Sequence, residues 1–478
     1  MKIQMEIIVV CLLSAAAFPM QLLAQHNYVF TEVPTLGGPI VYGNATGAKD
    51  KLLNSAGTLT GGADTDIVDP FCSNAPDCFA GHAFTFRNGM LTDLGVLPGG
   101  FGSQAFWIND SGTAVGMSQI GVLDPLIPNF LELRAVVWQN GKTEAIGTFG
   151  GNDSVAQAVN NRGQVVGFAL NPIPDSMSML PWSTEMHAFL WDKGALQDLG
   201  TLGGPDSWGM FVNDRGQVAG ISYPDSNLSS GCDTAGNNHV FLWEKGRMKD
   251  LGTLGGSCSW PEGLSNQGRV IGWSNVAGDT TQHPFLWDGT RLRDLGTLGG
   301  SCGYATWIND NGEVIGVSCT ENDETFLAFS WKNGVMTPLA PLPGDCASDA
   351  RRINSKGQII GASYSCDFSS MRGVLWANGT VTDLNSFVPL GSGFDIIGDD
   401  MFLNDRGEIA GNGIAPNGDI HFFTLTPVNE NAALATAAVP NAHQLSGRPQ
   451  GKLAPNSVAD LKARIKPGLH IPGLHSSN

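Results

Sequence analysis

Basic residues are scarce in this chain. Lys and Arg total 26 against 44 Asp and Glu, a formal charge of −18 over 478 residues. Nucleic-acid binding needs basic patches to neutralise phosphate, so that class of partner is excluded. Residues 428–478 carry five basic and two acidic side chains, which leaves the rest of the chain still more acidic. Such a balance suits a solvated exported surface or one that attracts cations. Long apolar runs are absent beyond the N-terminus. A membrane-spanning helix needs about 20 apolar residues, so no span is expected after residue 24. No two cysteines show a CxxC zinc spacing. GxSxG and HExxH are missing too. Gly141-Lys142-Thr143 has the end of a phosphate loop, but Val136 stands where its first glycine is required. No cofactor and no metal are expected, and no catalytic residue is assigned.

The first 24 residues read as a secretory signal. Lys2 is followed by a short apolar run from Ile7 to Phe18, and Ala24-Gln25 offers a small-residue cut site. Its removal takes Cys11 and leaves eight cysteines. An even number in an exported chain favours disulfides. A secreted or periplasmic protein, without membrane insertion after cleavage, is expected.

What the chain has in abundance is one repeated phrase. A clear copy reads His187-Ala-Phe-Leu-Trp191, then Asp198-Leu-Gly-Thr-Leu-Gly-Gly204, then Val212-Asn-Asp-Arg-Gly216-Gln-Val-Ala-Gly220. Eight copies are marked by turn asparagines at Asn54, Asn109, Asn160, Asn213, Asn266, Asn309, Asn354 and Asn404, 43 to 55 residues apart. A repeat of that length means a stacked or closed array of small sheets. Each copy holds four short strand signals, a to d. Strand a ends at the Asn, b follows the turn, c is the His-Ala-Phe-Leu-Trp stretch and d the Asp-Leu-Gly-Thr-Leu stretch. Asn-Asp-x-Gly suits a tight hairpin, with Gly supplying positive φ. Trp recurs at the end of c, at Trp138, Trp191, Trp243, Trp287, Trp331 and Trp376, where packing between sheets is expected.

The last copy stops after strand c, at His421 to Leu425. The N-terminus begins with a spare strand d, Tyr28 to Leu36. One missing strand matched by one extra is how a β-propeller closes its ring. The expectation is an all-β propeller over 25–427 with eight four-stranded blades, seven being the alternative because the first copy is the weakest. A monomer is expected. Residues 428–478 lose the repeat and read as a tail, in which Ser457 and Asp460 could cap one short helix through Lys466.

The a–b and c–d turns are short and share one face. The b–c loops (62–81, 117–133, 168–186, 221–238) are long and irregular and lie on the other, where binding usually resides. Cys258, Cys302 and Cys346 fall at d–a crossovers; Cys72, Cys78, Cys232, Cys319 and Cys366 fall in b–c loops. All eight share the loop face, and the topology suggests pairs 72–78, 232–258, 302–319 and 346–366. Tyr42, Trp208, Trp260 and Tyr304 each lie six residues past a crossover Leu. If strand a is innermost, they ring the mouth of the channel, where they would stack on a sugar or another flat ligand. The plainer alternative is packing. His82, His187, His239, His283 and His421 begin strand c. One per blade is too dispersed to share an ion, so a hydrogen bond to a neighbouring turn is expected.

The phrases His-Ala-Phe-Leu-Trp and Asp-Leu-Gly-Thr-Leu-Gly-Gly resemble those of the HAF-repeat proteins, a group of probable exported bacterial proteins. The likeness covers about 35–425 and departs where Arg134, Leu327 and Arg372 replace the His. It implies export and a propeller-like repeat, and no catalytic residues. Two functions follow from the residues. One is a secreted binding module presenting its b–c loops to a glycan, a protein or an envelope component. The other is a polysaccharide hydrolase or lyase, using acidic residues above the channel.

Overall fold

Each copy of the phrase folds into one antiparallel sheet. In blade 4, strand a is Ser207–Val212, b Val218–Ser222, c His239–Glu244 and d Arg247–Asp250, paired in that order. The chain is described here by a computed structural model covering residues 28–43, 49–71, 78–127, 129–176, 178–179, 183–226 and 237–428. Eight such sheets follow one another, the fifth and sixth joined by a lone parallel bridge between Gln282 and Cys302. The first copy forms a full blade of its own, Gly37–Tyr42, Leu59–Val68, Phe79–Arg87 and Met90–Gly95. The protein is an eight-bladed, all-β propeller. Its last blade takes its outer strand from Tyr28–Glu32, which pairs antiparallel with Ile420–Pro427.

Strand chemistry explains the stacking. In strand c the phenylalanines Phe84, Phe189, Phe241, Phe285 and Phe329 are fully buried, and Trp138, Trp243, Trp287 and Trp376 nearly so. On the opposite face of strand c Ala83, Ala188, Val240 and Ala328 are fully buried as well, so both faces of a blade are covered by its neighbours. A serine at the start of strand a stitches blades 2, 3, 4, 5 and 7 to the blade before. Ser207 Oγ accepts from Ala188 N at 2.8 Å and donates to Gly200 O at 2.6 Å; Ser154, Ser259 and Ser348 accept in the same way from Ala135, Val240 and Ala328. Strand b needs its glycine because strand a bulges beside it. At Gly220 any Cβ would run into the Trp208 carbonyl.

Two elements of the phrase have partners that were not foreseen. The asparagine at the a–b turn closes its own turn and reaches the next blade. Asn213 Oδ1 accepts from Arg215 N and Gln217 N, while its Nδ2 donates to Ser265 O at 3.0 Å. The step repeats from Asn54 through Asn109 and Asn160, and from Asn309 through Asn354 and Asn404 back to Asn54. In the fifth copy the turn residue is Ser265, not Asn266. Ser265 Oγ accepts from Arg269 N, and Asn266 fills the next position, accepting from Asp214 N. The histidine of strand c bonds within its own sheet rather than to a neighbouring turn, although His421 Nε2 also meets the Pro39 carbonyl of blade 1 at 3.1 Å. His187 Nδ1 meets Asp198 Oδ2 at 2.8 Å in the same blade, and Asp198 Oδ1 accepts from Gly200 N. His82, His239 and His283 repeat this with Asp93, Asp250 and Asp294, and His421 pairs with Glu32 of the closing strand. Strand d consequently ends at the Asp, as in Ala195–Asp198, and Leu-Gly-Thr-Leu belongs to the crossover.

Candidate functional site

Strand a is innermost, and from blade 2 to blade 8 each one touches the strand a of the next blade. Tyr42, Trp208, Trp260 and Tyr304 occupy one level of it. Each pairs with the residue after the strand-b glycine: Gly62, Ile221, Trp273 and Val317. They do not line an open mouth. Trp208, Trp260 and Tyr304 are buried and Tyr42 is half-buried. Trp208 meets Trp260 edge-on at 6.2 Å and Phe168 at 5.5 Å.

The first repeat supplies groups that occupy the axis. From Gly38 to Asn54 there are 16 residue steps, where blades 2 to 6 use nine. The Gly43 carbonyl accepts from Gln104 of blade 2, and the Lys49 carbonyl from Gln157 of blade 3. Lys49 Nζ stands 3.4 Å from Glu262 Oε2 of blade 5. Asp50 accepts from Arg352 of blade 7 through its carbonyl at 2.8 Å and its carboxylate at 3.3 Å. The Arg352 guanidinium lies over Trp307 at 4.4 Å and Phe402 at 5.3 Å. Burial pushes the Asp50 carboxyl up to about 6, against the pull of Arg352 and Lys49. It also raises Glu262 and lowers Lys49. This belt was missed from sequence, where its one signal was the extra length before Asn54.

The loop face is uneven. Strand b runs ten residues in blades 1 to 3, Leu59–Val68, Ala114–Leu123 and Val165–Pro174, and five to seven elsewhere. The extra length stays paired with strand c, through Val68–Phe79, Leu123–Leu131 and Pro174–Thr184. Three neighbouring hairpins thus project from the ring. Their ends expose Ile67, Val68, Val122, Leu123, Leu126 and Ile173.

The hairpin roots are clamped from the crossovers. Asp153 Oδ1 accepts from Leu133 N at 2.6 Å, and Asp206 accepts from Met186 N at 2.8 Å and Met179 N at 2.6 Å. Burial raises Asp153 to about 8, with Asp124 adding to it, and raises Asp206 to about 7. Blades 5 and 6 carry Cys258 and Cys302 at the same place. Cys302 is bonded to Cys319 and Cys346 to Cys366, as the topology suggested. Cys78 and Cys258 are also in disulfides; Cys72 and Cys232, their expected partners, lie outside the described residues. Among the described residues no group of three or more His, Cys, Asp or Glu is placed to hold a metal ion.

No family model and no curated protein matches the sequence. Solved structures that overlay on it are distant. TolB from Acinetobacter baumannii is 12% identical with a TM-score of 0.29, over 66% of this chain and 80% of that one. Porphyromonas gingivalis dipeptidyl peptidase 4 is 10% identical with a TM-score of 0.44, over 75% of this chain; the match spans 56% of the peptidase chain. YCF48 bound to D1 peptide is 8% identical with a TM-score of 0.35, over 86% and 98%. The fold assignment stands on the strand pairing itself.

Proposed function

We propose that the chain is an exported interaction module that binds a protein partner through its b–c face. The observation that carries this reading is the set of apolar hairpin ends, with Val68, Leu123 and Ile173 exposed by 65, 58 and 51%. Scattered exposed apolar residues need no explanation. A set displayed by three adjacent, paired hairpins on a rigid ring does. The reading takes residues 1–24 as an export signal, 25–427 as the propeller and 428–478 as a tail, and places the chain with the HAF-repeat proteins. The disulfides fit an oxidising compartment. A glycan stacked on Trp208 and Trp260 fits less well, because both rings are already packed. A hydrolase or lyase would need carboxylates converging on open space. Asp153 and Asp206 instead hold backbone amides at hairpin roots.

The test is photo-crosslinking in native cells from a reactive side chain at Val122, with Val335, exposed on strand d of blade 6, as the control position. A discrete protein adduct from 122 alone, lost in Leu123→Asp/Ile173→Asp, is expected. No adduct, or the same adduct from 335, overturns the reading. Retention on protein-free envelope polysaccharide would move the ligand to a glycan.

A further inference from the structure

Opposite the hairpins, the a–b turns surround the other end of the axis. They enclose a vestibule of about 270 Å³. Its floor is apolar and aromatic, with Trp107, Phe211, Trp307 and Leu403 on it. Trp107 and Phe211, from blades 2 and 4, meet edge-on at 6.2 Å. Its lip is the second residue of each turn, which is Asp110, Asp214, Asp310 and Asp405 in four blades and an amide or hydroxyl residue in the others.

We propose that this vestibule is a second binding site, which takes the single Lys or Arg side chain of an otherwise uncharged peptide segment. The floor would pack the aliphatic stem and the lip would hold the charged end. The carboxylates are pre-oriented. Asp110, Asp214 and Asp405 each accept a backbone N–H from the preceding blade, from Ser55, Asn161 and Ser355 at 2.8 to 3.0 Å. Burial alone would raise Asp110, but Lys51 and the Ser55 amide outweigh it and hold the carboxyl below its usual range. Asp110 therefore stays anionic at neutral pH.

The aromatic floor already attracts a cation from the axial side, where Arg352 lies over Trp307 at 4.4 Å. That guanidinium is offset by Asp50 at 3.3 Å, so it does not simply repel a second cation. Lys51 is the one basic residue lining the vestibule among the described residues.

The surroundings narrow the ligand further. A metal ion is disfavoured because the four carboxylates are spread around the lip, one in every second blade. The third turn position is basic in four blades, at Arg162, Arg215, Lys356 and Arg406. Arg162 Nη1 reaches the Asp214 carbonyl, and Arg406 pairs with Glu408 at 2.6 Å. Negative charge thus sits inside a positive outer ring. That field favours one cation on the axis over a polycation, and it disfavours an anion there. The site is independent of the hairpin reading, lying on the other face.

The experiment titrates the full chain with the peptide acetyl-Gly-Ala-Arg-Ala-Gly-amide, following intrinsic tryptophan emission and heat. The same peptide with Gln or Glu in place of Arg is the comparison. Saturable binding of the Arg peptide is expected, weakened about tenfold by Asp310→Asn and further by Asp214→Asn/Asp310→Asn. Circular dichroism and melting temperature check that the variants stay folded; Asp310 is exposed, so its single variant serves if the double one does not fold. No saturation at millimolar peptide, equal binding of the Gln peptide, or indifference to Asp310→Asn overturns the proposal.

Discussion

Asn404 of the last blade donates its side-chain amide to the Asn54 carbonyl of the first at 3.0 Å, across 350 residues of sequence. Its Oδ1 also accepts from Arg406 N and Glu408 N. One side chain therefore shapes a turn and links the two ends of the array. Each hydrogen bond contributes about 1 kcal/mol net, and buried groups left unpaired cost more.

Asn404→Ala should lower the unfolding free energy by about 2–3 kcal/mol, read as a shift in urea midpoint at constant slope. Ser265→Asn, which restores the side chain found in the other seven turns, should raise it by about 1 kcal/mol. A destabilised Ser265→Asn would mean that the fifth turn cannot accommodate the amide.

Trp208 should behave as core. Trp208→Ala is expected to cost about 3–5 kcal/mol. Trp208→Phe should cost far less, because the indole Nε1 is buried without a hydrogen-bond partner. If Phe proves as damaging as Ala in denaturant titrations, that nitrogen has a bonding role.

Stability should fall as pH rises from about 4 to about 7, and further through the folded titration of His187. Asp206 is raised to about 7 by burial, well above an unfolded value of about 3.9. Its protonated form is the stable one, and stability is lost as pH climbs through that range. The hydrogen bond to Asp198 raises His187. Its contribution is full below the unfolded value of about 6.5 and is lost as pH rises through the folded one. Asp206→Asn and His187→Gln should each flatten the decline of melting temperature with pH. An unchanged slope in both would assign the pH dependence elsewhere.

Replacing Cys302 and Cys319 together by Ala should cost about 3 kcal/mol, as expected for closing a loop with a sequence separation of 17. Calorimetry of the parent chain with and without reductant, beside the double variant, checks it. A parent whose melting does not move on full reduction would refute the estimate.

The repeat made the architecture legible because every part of the phrase has a bonding job that forces a residue type. Gly220 must lack a Cβ, Ser207 must offer both a donor and an acceptor, and Asn213 must serve two blades at once. The Cys302–Cys319 and Cys346–Cys366 pairs were legible through topology alone. Asn266 was misplaced by one because its neighbour Ser265 performs the turn role with a shorter side chain. The vestibule and the axial belt were not legible. Their residues, such as Trp107, Lys49 and Arg352, sit at positions that vary from blade to blade, so no pattern announces them. The projecting hairpins could be seen only as long loops, since paired and unpaired extensions look alike in sequence.

The Lys49 and Asp50 bridges also order events in time. Asp50 is among the first residues to emerge, and its partner Arg352 lies 302 positions later. Gln104, Gln157 and Glu262 arrive earlier, with blades 2, 3 and 5, but the Asp50 carboxylate must wait for the seventh blade to meet Arg352. A chain delivered end first across a membrane would therefore stay unlocked through most of its passage. It would seal at its hub only once nearly complete, which makes the middle of the molecule the last part to mature.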